Sequence, residues 1–134
     1  MPPTKLTPGL NELPAKVCEI AGQSVYDCMQ CGICTGVCPL ATHMSIRPRE
    51  VMLLLQRGMV DRVLESEMAW LCASCLNCEV NCPRNIDIPA LMEALRQMVL
   101  RKNENRVHPN KISKEELADL PPIALVTAFR KLTG

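Results

Sequence analysis

The pattern C-x-x-C-x-x-C-x-x-x-C-P occurs twice, as Cys28, Cys31, Cys34, Cys38 and Pro39 and again as Cys72, Cys75, Cys78, Cys82 and Pro83. The two runs are offset by 44 residues, and an aromatic stands two places ahead of each, Tyr26 and Trp70. An internal repeat of this kind constrains the fold more than any other feature of the chain, because each copy is one supersecondary unit built around the same task. The runs hold eight of the nine cysteines. The odd total fits complete disulfide pairing poorly. Residues 1–10 carry one lysine and three prolines with no apolar run, so neither a signal peptide nor a twin-arginine leader is expected. The expected location is therefore cytoplasmic, where thiols stay reduced and cysteine clusters mean metal.

The spacing selects the metal. Zinc asks for two C-x-x-C pairs separated by a dozen or more residues, whereas each run here crowds four cysteines into 11 residues. A cubane [4Fe–4S] cluster has four iron corners. Three cysteines at two-residue gaps let a short loop cap three of them, and the fourth, just before a proline, ligates the cluster of the other run. On this pattern one cluster takes Cys28, Cys31, Cys34 and Cys82, and the other takes Cys72, Cys75, Cys78 and Cys38. Crossed ligation would staple the two halves of a small core together. Cys18 lies outside both runs and is expected to be a small buried hydrophobe on the first helix. His43 is expected to be an ordinary loop histidine. Arg84, beside the second run, contacts solvent or a partner carboxylate, or else raises the potential of its nearest cluster by favouring the more negative reduced state.

The chain is long enough for one domain of ordinary size. Its only aromatics are Tyr26, Trp70 and Phe129, so aliphatic residues must build the core. With 15 Lys and Arg against 14 Asp and Glu, the net charge of +1 gives no reason to expect nucleic acid or an anionic membrane as the main partner. No apolar run approaches the roughly 18 residues needed to cross a bilayer. Four prolines within residues 1–14 predict an extended arm. A short helix is expected over 15–26, entering the first run. Pro48 opens a helical pattern with Val51, Met52, Leu54 and Leu55 on one side and Arg49, Glu50, Gln56 and Arg57 on the other, and Gly58 stops it. A short helix carrying Val60, Val63 and Leu64 follows. Ile88, Leu91, Met92, Leu95, Met98 and Val99 mark an amphipathic helix of about four turns. Ser113 and Glu116 form a capping box, and a last helix with Ile123, Val126 and Phe129 follows Pro121 and Pro122. No segment alternates as a strand does. The expected fold is all-α, with two cluster-binding loops packed between helices. It divides into the arm (1–14), a cluster domain (15–103) and a linker with a terminal docking helix (104–134).

The doubled motif, the spacer beginning Arg47-Pro48-Arg49-Glu50-Val51 and the segment from Leu120 to Gly134 resemble the C subunit of heterodisulfide reductase, within the α-helical ferredoxins. The resemblance covers residues 20–134. It implies a non-catalytic subunit with two [4Fe–4S] clusters. Such a subunit relays single electrons from a flavoprotein (A-type) subunit to a CCG-domain (B-type) subunit that reduces a disulfide. This chain has no CCG motif, dinucleotide fingerprint or candidate nucleophile of its own, so catalysis is expected from partners. Two other functions are weighed against this one. An iron–sulfur subunit of another flavin dehydrogenase usually carries further domains that this sequence does not show. A free-standing soluble ferredoxin is commonly strongly acidic, to steer it to many docking sites, and this chain is not.

Overall fold

The computed structural model describes residues 12–102 and 105–133, and among these every regular element is helical. The expected all-α architecture is what the chain adopts. It forms two compact units divided between Leu95 and Arg96, and both cysteine runs belong to the first.

The first unit opens with α1 (Glu12–Ala21). The helix begins earlier than the proline count suggests, because Pro14 falls in its first turn, where the missing N–H has no helical partner in any case. The rest of the expected arm, residues 1–11, lies outside the described residues. After α1 a single 3₁₀ turn (Val25–Asp27) leads into the first cysteine run, and the run itself contains a one-turn helix, α2 (Ile33–Gly36). The spacer carries α3 (Pro48–Gln56), α4 (Val60–Leu64) and α5 (Met68–Leu71). A second one-turn helix, α6 (Asn77–Val80), lies inside the second run. The chain then enters α7 (Ile88–Leu100).

Each boundary has a local cause. Pro48 is the first residue of α3, the Glu50 carboxylate accepts from the Arg47 N–H at 2.9 Å, and the Thr35 hydroxyl accepts from the Arg49 N–H at 3.0 Å. Two of the orphan donors at that helix start are thus satisfied, and one of them ties α3 to the first run. Gly58, at φ +76°, ends the helix as the sequence predicts. The Asp87 carboxylate caps α7 by accepting from the Ala90 N–H at 2.8 Å. The side chain of Gln23 bonds to both the N–H and the carbonyl of Asp87, clasping the end of α1 to the start of α7.

The core of this unit is aliphatic. Val17, Val25, Val51, Met52, Leu55, Val60, Val63, Met68, Leu91 and Met92 are all buried; each such side chain contributes about 1.5–3 kcal/mol of transfer free energy. Most of the periodic faces read from the sequence are buried, as Val51, Met52 and Leu55 on α3, Val60 and Val63 on α4, and Ile88, Leu91, Met92, Leu95 and Met98 on α7, while Leu54, Leu64 and Val99 are half-buried. In the second unit, α8 (Lys114–Asp119) starts at the Ser113 capping box, whose hydroxyl accepts from the Glu116 N–H at 3.2 Å. There α9 (Pro122–Leu132) leaves Ile123 and Val126 exposed, and its Leu132 carbonyl accepts from the Arg106 N–H at 2.9 Å.

The repeat is visible in the backbone. Gln30 and Gly32 in the first run, and Ser74 and Leu76 in the second, all have positive φ (+60°, +85°, +53° and +64°), and each pair is separated by the same 44 residues. Gly32 and Leu76 immediately precede α2 and α6, which pack against each other. A left-handed conformation costs about 1–2 kcal/mol for a residue with a Cβ. Gly32 avoids that cost, and a Cβ there would meet the Arg49 side chain at 3.4 Å; Leu76 bears it. Leu76→Gly is therefore expected to stabilise the protein by about 1 kcal/mol, and Gly32→Ala to destabilise it by about the same amount. Thermal unfolding of the two variants under anaerobic, reducing conditions measures both.

Candidate metal centres

Two cavities flank the α2–α6 pair. One, of about 310 Å³ including space open to solvent, is lined by Cys28, Cys31, Cys34 and Cys82, together with Gln30, Arg49 and Ile86. The other, of about 410 Å³ on the same measure, is lined by Cys38, Cys72, Cys75 and Cys78, together with Leu40, Met44 and Met68. Ile88 forms part of both walls. Each cavity therefore gathers three thiols from one repeat and the last thiol of the other.

The reason is local. In each run the two left-handed residues reverse the chain within a single turn, while the short helix that follows carries the third cysteine. The hydrogen bonding repeats with the geometry. The Ala41 N–H bonds to the Cys38 carbonyl at 3.3 Å, and the Asn85 N–H bonds to the Cys82 carbonyl at 3.1 Å. Each final cysteine thus sits at the head of a tight turn together with its proline, which directs the chain away from its own loop.

The donor set fits an iron–sulfur group. Thiolates are soft ligands suited to iron–sulfur clusters, and the walls between them are largely apolar, which limits access of water. Among the described residues no three His, Cys, Asp or Glu side chains gather about one point as ligands of a single ion do. Each cavity has four thiols in its wall, one for each corner of a four-iron cluster.

Burial acts on the thiols themselves. It is the main cause raising the Cys34 thiol above its ordinary value, with the neighbouring Cys28 second, against opposing hydrogen bonds from Thr35. Burial likewise pushes Cys78 up to about 12, helped first by Cys72 and further by Cys34 from the opposite cavity. The contact of α2, which carries Cys34, with α6, which carries Cys78, places the two sites side by side, and Cys34 is close enough to act on Cys78.

The first cavity is the more polar. The Gln30 N–H lies 3.4 Å and its side-chain Nε2 3.7 Å from the Cys28 sulfur. Gln56 holds this loop from α3, donating to the carbonyls of Val25 at 3.0 Å and Cys28 at 2.9 Å and accepting from Gln30 Nε2 at 3.0 Å. Gln30, Gln56 and Arg49 were not legible as site residues. Helical periodicity puts Arg49 and Gln56 on the polar side of α3, and only the position of α3 against the first run gives them a role. Arg84 donates to the Asp27 carbonyl at 3.1 Å, so it braces the entry to the first run from the end of the second. Cys18 is half-buried on α1 and His43 is exposed, and neither lines either of these two cavities.

Comparison with known proteins agrees with this chemistry. Residues 24–86 match the family described as 4Fe-4S dicluster domain. The chain is 42% identical over 79 residues to the iron-sulfur C subunit of CoB--CoM heterodisulfide reductase from Methanopyrus kandleri, covering 59% of this chain and 41% of that one. It is 33% identical over 105 residues to the C subunit of ferredoxin:CoB-CoM heterodisulfide reductase from Methanosarcina mazei, covering 78% and 65% respectively. A third relative is the C2 subunit of H(2)/formate:CoB-CoM heterodisulfide,ferredoxin reductase from Methanococcus maripaludis, at 33% over 90 residues, covering 67% and 48%. The matched region spans less than two thirds of the length of each of these relatives. The chain is a homologue of the heterodisulfide reductase C subunit, with a match to a 4Fe-4S dicluster domain across both cysteine runs.

The raised thiols give a pH dependence with a definite sign. A thiol is neutral when protonated, so a folded-state pKa above the ordinary 9.0 means that metal-free folding favours the protonated form. That stability is fully present below 9.0 and is lost as pH rises toward about 12. The urea midpoint of the metal-free, reduced chain is expected to fall across this window, and to fall less in Cys78→Ala. Iron loading has the opposite dependence, because each ligand must surrender its proton, and loading slows as pH is lowered.

Proposed function

We propose that this homologue of the heterodisulfide reductase C subunit is the electron-transfer component of a heterodisulfide-reductase-like complex. It holds one [4Fe–4S] cluster on Cys28, Cys31, Cys34 and Cys82 and a second on Cys72, Cys75, Cys78 and Cys38. The observation that carries the reading is the pair of cavities, each walled by four thiols and separated by the α2–α6 contact.

When bound, each cluster supplies a centre that takes up and gives back one electron without breaking a bond. The chain does the rest. Its thiolates fix the group in place and carry much of its negative charge. The apolar residues around the cavities keep water and solutes away from the sulfurs, and the Gln30 N–H offsets charge at the Cys28 sulfur. Adjacent sites let an electron enter at one face and leave at another. The partners that fit are a flavoprotein subunit as donor and a CCG-domain subunit as acceptor, the latter reducing a disulfide. No described helix is long and apolar enough to cross a membrane.

Anaerobic affinity purification from native cells, with companions identified by mass spectrometry, tests the assignment. Stoichiometric recovery of a large flavoprotein and a CCG-domain subunit is expected. Recovery of the chain by itself, as a stable brown monomer, would make it a diffusing ferredoxin. Crossed ligation has its own test in Cys82→Ala, which is expected to perturb the spectroscopic signal of the cluster held by Cys28, Cys31 and Cys34. Loss confined to the other signal would contradict the crossing.

A further inference from the structure

We propose that Gln30 and Arg49 make the Cys28-Cys31-Cys34 site the higher-potential member of the pair, so that an electron shared between the two sites comes to rest there. The inference rests on the two-cluster reading above and adds a direction to it.

The repeat provides an internal control. Gln30 and Ser74 occupy equivalent positions, 44 residues apart, with the same left-handed backbone. At the first position the side chain is long enough to bring its Nε2 to 3.7 Å from the Cys28 sulfur, in addition to the main-chain N–H at 3.4 Å. Its orientation is set from outside the loop. Gln56 Oε1 accepts from the same Nε2 at 3.0 Å, while Gln56 Nε2 is committed to the Val25 and Cys28 carbonyls. This leaves Gln30 Oε1 buried without a hydrogen-bond partner. A buried acceptor without a partner is unfavourable and calls for an explanation. Turning the amide over would satisfy nothing better, because it would aim the oxygen at the thiolate. The amide is held donor-first toward sulfur. Serine at the equivalent place in the second loop has no amide to present.

Arg49 adds a permanent positive charge to the same wall, its stem lying over Gly32. The second cavity has no charged side chain in its lining. Apart from its thiols and Ser74 it is walled by apolar residues, among them Leu40, Met44, Met68 and Ile88.

Reduction of either site adds one negative charge, distributed largely over sulfur. Donors aimed at sulfur and a nearby cation stabilise that charge and raise the potential, whereas an apolar wall opposes it. One electron leaves the Cys72-Cys75-Cys78 site as one arrives at the Cys28-Cys31-Cys34 site, with no bond made or broken and no proton moved. Electrons thus enter at the loop of the second run and leave at the loop of the first.

The test is a redox titration of the full chain, followed by electron paramagnetic resonance under anaerobic conditions, after iron and sulfide analysis has established its cluster content. Gln30→Ser and Arg49→Gln are each expected to lower the upper midpoint and leave the lower one in place. The exposed Arg49→Gln keeps the side-chain stem and protects the test against a folding defect at Gln30. Ser74→Gln is expected to raise the lower midpoint, narrowing the gap from below. If both clusters are present and neither Gln30→Ser nor Arg49→Gln moves the upper midpoint, or if both move the lower one, the inference is overturned while the two-cluster reading stands. Fewer than two clusters in the wild-type chain would overturn both.

Discussion

Eight thiols must be presented to two small spaces by a chain whose core contains almost no large rings, and the turn just ahead of each short helix makes this possible. With Gln30 and Gly32 at positive φ in one run, and Ser74 and Leu76 in the other, each loop reverses quickly enough to place its cysteines around a cavity. The helical turn that follows then packs against its counterpart, α2 against α6. The spacer helices serve this contact. The N-terminus of α3 is held by Thr35 of the first run, its C-terminal Gln56 clasps the loop carbonyls, and α5 delivers the chain to the second run.

Much of this was legible in the residues. The stripe on α3, the i, i+3, i+4 recurrence on α7, the stop at Gly58 and the Ser113–Glu116 box each depend on interactions within a few residues, and each appears where the pattern put it. The one-turn helices α2 and α6 did not announce themselves, because four residues are too few to show a period. Leu76 gave no sign of its left-handed backbone through its own identity. Only its equivalence to Gly32 in the repeat carried that information. The beginning of α1 was hidden by Pro14, which reads as a breaker unless it is known to occupy a first turn.

The side chains that distinguish the two cavities were illegible for a different reason. Gln56 and Arg49 are polar residues on the polar side of an amphipathic helix, and nothing local separates them from solvated neighbours such as Arg57. Their roles arise when α3 is laid beside the first run, a relation between residues 14 or more positions apart. Arg84 is a similar case. It stands in sequence beside the second run but bonds in space to the residue preceding the first.

Each cavity borrows one wall cysteine from the other repeat, so neither repeat is a complete container. A single copy of the motif could enclose its space only by pairing with another copy. The architecture reads as two interlocked halves of a dimer fused into one chain by the spacer. Fusion frees the halves from remaining identical: once both are always present, one loop can keep serine where the other takes glutamine. A symmetric assembly of identical copies would hold two equivalent centres with no reason for charge to prefer either. The joined chain can give its ends different characters, and a conductor with a preferred direction needs that difference.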